Sequence, residues 1–259
     1  MKSEKALVRS VLITGATGGI GGALAEVYAQ AGNTLILQGR NGERLDELAE
    51  LCINKGARVI TQVLDLKNRE QLLAWLNTIA EQEKLDLVIV NAGVNINIGD
   101  QGEGEHWADI EGLIEVNIIA AMATVNAVLP SMRARGEGQI ALISSLAAYF
   151  GLPVTPSYCA SKAAIKAYGE GLRGWLAPEG IRINVVMPGY VESQMCHDMP
   201  GPNPFLWSAD KAALTIKHRL ERNQARISFP FPLNLGTWFL AVLPPSISEW
   251  ILRKLNYAG

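Results

Sequence analysis

Tyr158 and Lys162 stand four residues apart in the stretch YCASK, at the head of a helix-forming run, AAIKAYGEGLRGWLA. On a helix, residues i and i+4 share a face, so phenol and ammonium can point at one ligand. An ammonium there favours phenolate, and the expectation is a phenol whose pKa falls from its ordinary value of about 10 toward neutrality. Such a group can pass a proton to or from a carbinol oxygen. The same spacing also arises in surface pairs and in plain helix packing, so its meaning depends on the elements around it.

Those elements alternate. SVLITG, TLILQG, RVITQVLD, LDLVIVNAG, GQIALISS and RINVVMPG are short runs rich in Val, Ile and Leu, the pattern of parallel strands buried on both faces. Between them lie helical segments long enough for crossovers, among them NGERLDELAELCINKG, REQLLAWLNTIAEQ and EGLIEVNIIAAMATVNAVLPSMRARG. Repeated β-α units predict an α/β fold, a doubly wound parallel sheet with helices on both faces and ligands at the carboxyl ends of the strands. RISFP reads as a final edge strand, making seven.

The first strand runs into TGATGGIGGALAEVYAQ. Gly15, Gly19 and Gly21 lie between strand and helix, where missing side chains let backbone N–H groups and a helix N-terminus approach a pyrophosphate. The spacing is TGxxxGxG rather than GxGxxG, and a tight strand-to-helix turn alone would also use such glycines. The second strand ends at Gly39 and Arg40, with no acid placed to accept the ribose hydroxyls of NAD. Arg40 suits the 2′-phosphate of NADP(H) through its planar donor fork, or is a solvated turn residue. Asp65, after the third strand, suits either a turn cap or the adenine edge.

Taken together, LITGATGGIG, VIVNAG, EVNIIA, ALISSLAAY, YCASK and INVVMPGYVES resemble the short-chain dehydrogenase/reductase family, from about residue 8 to 195. The resemblance implies a Rossmann-like sheet, an NAD(P) cofactor, and a catalytic tetrad of Asn117, Ser145, Tyr158 and Lys162. Ser145 has the family's separation from the tyrosine; Ser144 is the alternative. Ser145 would orient the reacting oxygen, and Lys162 would lower the tyrosine pKa and bond the nicotinamide ribose. Asn117 would hold a water in a proton relay, unless it is a helix Asn satisfied locally. Asn91, Ala92 and Gly93 would line the cofactor cleft, with Pro188, Gly189 and Val191 by the nicotinamide. Ser193 stands where relatives often carry Thr to meet the carboxamide. Thr17, Ile20 and Leu66 complete the expected cofactor contacts. Family resemblance also implies a homodimer or homotetramer built on the helices of Asn117 and Tyr158.

Composition narrows the classes further. With 259 residues, 49% of them hydrophobic, the chain reads as one domain, 1-259, with a substrate loop and lid at about 190-225 and an apolar extension at about 230-259. A net charge of −2 and scattered basic residues argue against nucleic acid. The N-terminus does not read as a secretory signal, which suggests the cytoplasm. Cys52, Cys159 and Cys196 fit free thiols. MCHD lacks the spacing of a zinc site, so no metal is expected, and His106 and His218 read as surface or capping residues.

ESQMCHDMPGPNPFLW suits an apolar lid, which points to a partly apolar small-molecule carbonyl or alcohol. Resemblance to family members with comparable apolar tails implies a keto lipid or a cell-envelope or capsular-polysaccharide precursor. The tail, FPLNLGTWFLAVLPPSISEWILRKLNYAG, holds no run near the 18 apolar residues that span a bilayer. It is compatible with packing on the domain or a neighbouring subunit, covering an acyl pocket, or resting in a membrane interface. The leading reading is an NADP(H)-dependent oxidoreductase; the alternative is a non-catalytic dinucleotide-binding sensor or scaffold.

Overall fold

The computed structural model of the protein describes residues 9–99, 102–199 and 203–255. Its strands are β1 (Ser10–Ile13), β2 (Thr34–Gly39), β3 (Arg58–Val63), β4 (Leu87–Val90), β5 (Gly138–Ile143), β6 (Ile181–Pro188) and β7 (Arg226–Phe229). All pair in parallel, in the order β3-β2-β1-β4-β5-β6-β7. The helices are α1 (Gly19–Tyr28), α2 (Gly42–Asn54), α3 (Arg69–Gln82), α4 (Trp107–Ile114), α5 (Ala121–Arg135), α6 (Pro156–Leu176), α7 (Gln194–His197), α8 (Ala209–Glu221), α9 (Leu233–Val242) and α10 (Pro245–Lys254).

The continuous apolar runs of β1, β2, β4, β5 and β6 follow from burial on both faces; β3, expected to be buried in the same way, lies at the sheet's edge, where it pairs on one side only and none of its residues is buried. Successive side chains of a strand point to opposite sides. Val11, Ile13, Leu35 and Leu37 enter one core with Leu24 of α1, Leu45 of α2 and Ile216 of α8. Their neighbours Leu12 and Ile36 enter the other, with Leu72 of α3, Val125 of α5 and Ile165 of α6. This is the doubly wound α/β sheet expected from the alternating pattern.

Strand order reverses between β1 and β4, which are adjacent although two strands separate them in the chain. Chains leaving the carboxyl ends of those two strands diverge to opposite faces and leave a crevice. Gly15 follows β1 and Asn91 follows β4, so both motifs border it.

Two features depart from a regular pattern. Residues Glu115–Ala120 form a π-helical turn between α4 and α5. The whole stretch Trp107–Arg135 is long and apolar enough to cross a membrane, but half of its most apolar window is buried. Val125, Val128, Leu129 and Met132 pack in the sheet's core, so its hydrophobicity is that of a core helix. The described part of the tail holds two helices, α9 and α10, tied together by Ser248 Oγ donating to the Leu240 carbonyl at 2.8 Å.

Candidate active site

The turn after β1 is fixed from several sides. Gly15 has φ +66°, the left-handed region that side chains disfavour, and a Cβ there would lie 2.7 Å from Ala92 Cα. Its N–H donates to Gln38 Oε1 at 3.0 Å, while Gln38 Nε2 donates to the Leu64 carbonyl at 2.7 Å. Asn91 Nδ2 donates to the carbonyls of Thr14 and Gly15, each at 3.0 Å. Thr14 Oγ1 accepts from the N–H groups of Asn91 and Ala92 at 3.0 and 3.1 Å. The NAG motif is thereby locked to the glycine turn across the crevice.

Gly18 begins α1 with no side-chain cap, and the first turn carries no acid. Asn41, Asn68, Ser193 and Ser208, by contrast, cap α2, α3, α7 and α8 with their side chains. An uncapped, glycine-lined helix start beside a cavity fits an anion such as pyrophosphate. Thr17, Gly19, Ile20 and Gly21 line that cavity. A Cβ on Gly19 would lie 2.6 Å from the Glu192 carbonyl oxygen and 2.9 Å from Ser193 Cβ, so this glycine also lets the segment after β6 seat against α1.

The proton-transfer candidates converge from three elements. Asn117 lies in the π-helical turn, a distortion that often re-aims a side chain at a functional site. Its Oδ1 accepts from Val94 N–H at 2.8 Å, and its Nδ2 donates to the Val94 carbonyl at 2.9 Å and to Ser161 Oγ at 3.0 Å. Both amide protons are thus used on partners remote in sequence, bracing the β4 loop against α6. Ser145 follows β5 and hydrogen-bonds Tyr158, while its Oγ accepts from Ala147 N–H at 3.1 Å. Ser144 Oγ instead donates to the Lys162 carbonyl at 2.7 Å. Lys162 Nζ is buried, donates to the Ile143 carbonyl at 3.0 Å, and stands 5.6 Å from the Tyr158 ring centroid.

The expected electrostatics of this pair are reversed. Burial pushes Tyr158 up to about 12, outweighing the lowering by the Ser145 hydrogen bond. Burial also pulls Lys162 down to about 8. Desolvation penalises the charged form of each group, and the ammonium is directed at the Ile143 carbonyl. At neutral pH Tyr158 is therefore a phenol, and it holds its proton more tightly than a free tyrosine.

At the crevice's other end, exposed Arg40 follows β2, and Arg44, also exposed, lies in the first turn of α2; both line the cavity. Asp65 caps its turn, accepting from Lys67 N–H at 3.0 Å, and lines the cavity beside buried Leu66, so its two readings are compatible. Pro188 ends β6, and the Gly189 N–H donates to the Phe229 carbonyl at 2.7 Å. Val191 pairs with Trp207. Ser193 Oγ accepts from Cys196 N–H and donates to the Val191 carbonyl, each at 3.2 Å, which engages the hydroxyl within its own loop.

One cavity of about 830 Å³ joins all the expected site residues except Asn117, which braces it from behind. Met195, Cys196 and Met199 form its lid side, and Leu240, Leu243 and Ile251 bring α9 and α10 to its substrate end. The sequence reading missed Arg44, Gln38, Thr14 and the wall residues Asn95 and Thr155. A glutamine inside the apolar run TLILQG was the available signal for Gln38, and the Thr of TGxxxGxG was the signal for Thr14; Arg44, Asn95 and Thr155 carry none. Cys52, Cys159 and Cys196 are free and buried. Cys159 Sγ accepts from Leu152 N–H at 3.2 Å, and burial pushes its thiol up, which makes it a packing residue. Among the described residues no three His, Cys, Asp or Glu side chains gather as a metal would require. His106 and His218 are exposed, at the start of α4 and in the last turn of α8.

The chain matches the short chain dehydrogenase family over residues 9–202. It belongs to the short-chain dehydrogenase/reductase family. An uncharacterized oxidoreductase of Myxococcus xanthus is 33% identical over 249 residues, covering 96% of this chain and 98% of the relative. The 3-oxoacyl-(acyl-carrier-protein) reductase of Rickettsia felis is 31% identical over 192 residues, 72% of this chain and 74% of that protein. Among solved structures, a short-chain dehydrogenase from Sphingobium yanoikuyae in complex with NADPH superposes with a TM-score of 0.77 at 26% identity, covering 87% of this chain and 89% of its own. As a short-chain dehydrogenase/reductase the chain is an oxidoreductase of the NAD(P)-binding kind, acting on a small molecule, and the non-catalytic reading has no support.

Proposed function

We propose that the protein is an NADP(H)-dependent reductase of a partly apolar ketone, with Tyr158 as general acid. The observation that carries this is the single cavity in which the uncapped start of α1, the Ser145–Tyr158–Lys162 group and the apolar walls of α9 and α10 meet. A nicotinamide cofactor held there would supply the hydride for the carbonyl carbon. Ser145 and Tyr158 hold the carbonyl oxygen, and the phenol proton passes to it as the alcohol forms. Lys162 would hydrogen-bond the nicotinamide ribose, and solvent would return the proton to the phenolate left behind. Gly15, Gly19 and Gly21 would receive the pyrophosphate, and Asn91 to Gly93 and Pro188 to Val191 would flank the nicotinamide half.

Arg40 and Arg44, with no acid ending β2, support NADP(H) over NAD(H). The Met-rich lid and the leucines of α9 and α10 support a lipid-like ketone or an apolar envelope precursor. Parallel fluorescence titration with NADPH and NADH, followed by turnover on ketones of increasing chain length, tests both parts. Preference for NADH would overturn the roles of the arginines, and activity confined to polar sugars would overturn the substrate class. We read residues 1-259 as one domain, assembled as a homodimer or homotetramer along α5 and α6 and resident in the cytoplasm; a monomeric mass in light scattering would refute the assembly, and recovery of the native protein outside the cytoplasm the location.

A further inference from the structure

We infer that α9 and α10 form a membrane-docking surface, through which the protein rests on an anionic bilayer with the substrate end of its cavity facing the lipid. Helix α9 carries no charged side chain, yet it exposes Leu235, Trp238, Phe239 and Val242. Helix α10 adds exposed Ile247 and Trp250. This face is not an unfinished core. Leu240, Ser248 and Leu252 already turn inward and are buried, and the Ser248–Leu240 hydrogen bond fixes the two helices to each other. At ten residues, α9 is too short to span a bilayer and has the length of an interfacial segment.

Charge selects the occupant. From residue 230 to 255 the charged residues are Glu249, Arg253 and Lys254. The two cations are exposed and follow Trp250 at the end of α10, while Glu249 lies 3.9 Å from Arg253. Tryptophans at the margin of an apolar face, with basic side chains beyond them, are the composition of a helix lying in the interface of an anionic membrane.

The cavity favours a membrane over a second copy of the chain. Phe239 and Leu255 line it and are about half exposed, 47% and 56%, so they form part of its rim. A second copy seated on the face would cover that rim. A bilayer would instead supply an apolar ketone directly, while exposed Arg40 and Arg44 keep the cofactor end in water. The purpose of the surface rests on the proposed apolar substrate; its existence does not.

The test is sedimentation of the full-length protein with phosphatidylcholine vesicles, with and without phosphatidylglycerol. The wild type should bind the anionic vesicles, and brominated acyl chains should quench its tryptophan fluorescence. Trp238→Ser/Trp250→Ser should weaken binding by roughly tenfold or more, and Arg253→Gln/Lys254→Gln by roughly tenfold on anionic vesicles alone. None of these four residues lines the cavity, so NADPH binding and turnover of a short, water-soluble ketone should stay at wild-type level. Wild-type protein that remains in the supernatant with both vesicle types and is not quenched would overturn the inference. A mass that falls when the two tryptophans are replaced would also overturn it and assign the face to a second copy. Vesicle binding without turnover of any ketone would refute the proposed function and leave the docking surface standing.

Discussion

Replacing Lys162 by Met should make the protein more stable and catalytically inert. The fold buries this ammonium, and its pKa falls from 10.5 to about 8. At 1.36 kcal/mol per unit, holding the charged form inside costs about 3 kcal/mol. The unfolded chain keeps the proton up to its higher pKa, so it binds more protons between the two values, and wild-type stability rises with pH across that window. Below about pH 8 the full penalty applies. Methionine removes it but forfeits the hydrogen bond to the Ile143 carbonyl, worth about 1 kcal/mol. The net gain of about 2 kcal/mol corresponds to a rise in Tm of about 4–8 °C for a protein of this size. Thermal unfolding followed by circular dichroism at pH 7 should show that rise, and the gain should shrink as pH approaches 10.5. A lower Tm for the variant at pH 7, or a gain indifferent to pH, would refute the reasoning that a functional charge is being held against the fold's preference.

Other variants separate the remaining roles. Tyr158→Phe should reduce turnover by about 10²–10⁴-fold while NADPH binding, read by fluorescence, changes little; equal activity would remove the phenol from the reaction. Arg40→Ala and Arg44→Ala should each weaken NADPH by roughly tenfold or more with NADH nearly unaffected, and an equal loss for both cofactors would assign the arginines to general electrostatics. Asn117→Ala should lower stability by about 2–4 kcal/mol in denaturant unfolding, because it strips partners from both backbone groups of Val94; wild-type stability would show that the brace is dispensable.

The strands were legible because each is an apolar run too short for a helix and bounded by a turn. The edge strand at Arg226–Phe229 was legible for the same reason, with Pro230 closing it. Placement of Ser145 beside Tyr158 followed from motif spacing, since α6 and the end of β5 are local neighbours of the same crossover. What the sequence concealed depends on atoms far apart in the chain. YxxxK states that phenol and ammonium are near each other, but not that both are desolvated, and desolvation reversed the expected pKa shift of Tyr158. The bracing of Val94 by Asn117 spans 23 residues and passes through a π-helical turn that no periodicity announces. Composition left three readings of the tail open, because apolar residues with flanking cations suit each; only packing showed which leucines turn toward the cavity.

The close fit at Gly19 constrains how such an enzyme could change its substrate. The backbone at Glu192 and Ser193 rests directly on the first turn of α1, so the opening of the substrate loop is mechanically part of the cofactor half. Variation up to Ser193 would disturb the seat of the dinucleotide before it altered selectivity. Freedom begins at α7 and continues through the lid to α9 and α10, and a directed library confined to those later segments should shift chain-length preference while leaving NADPH affinity intact.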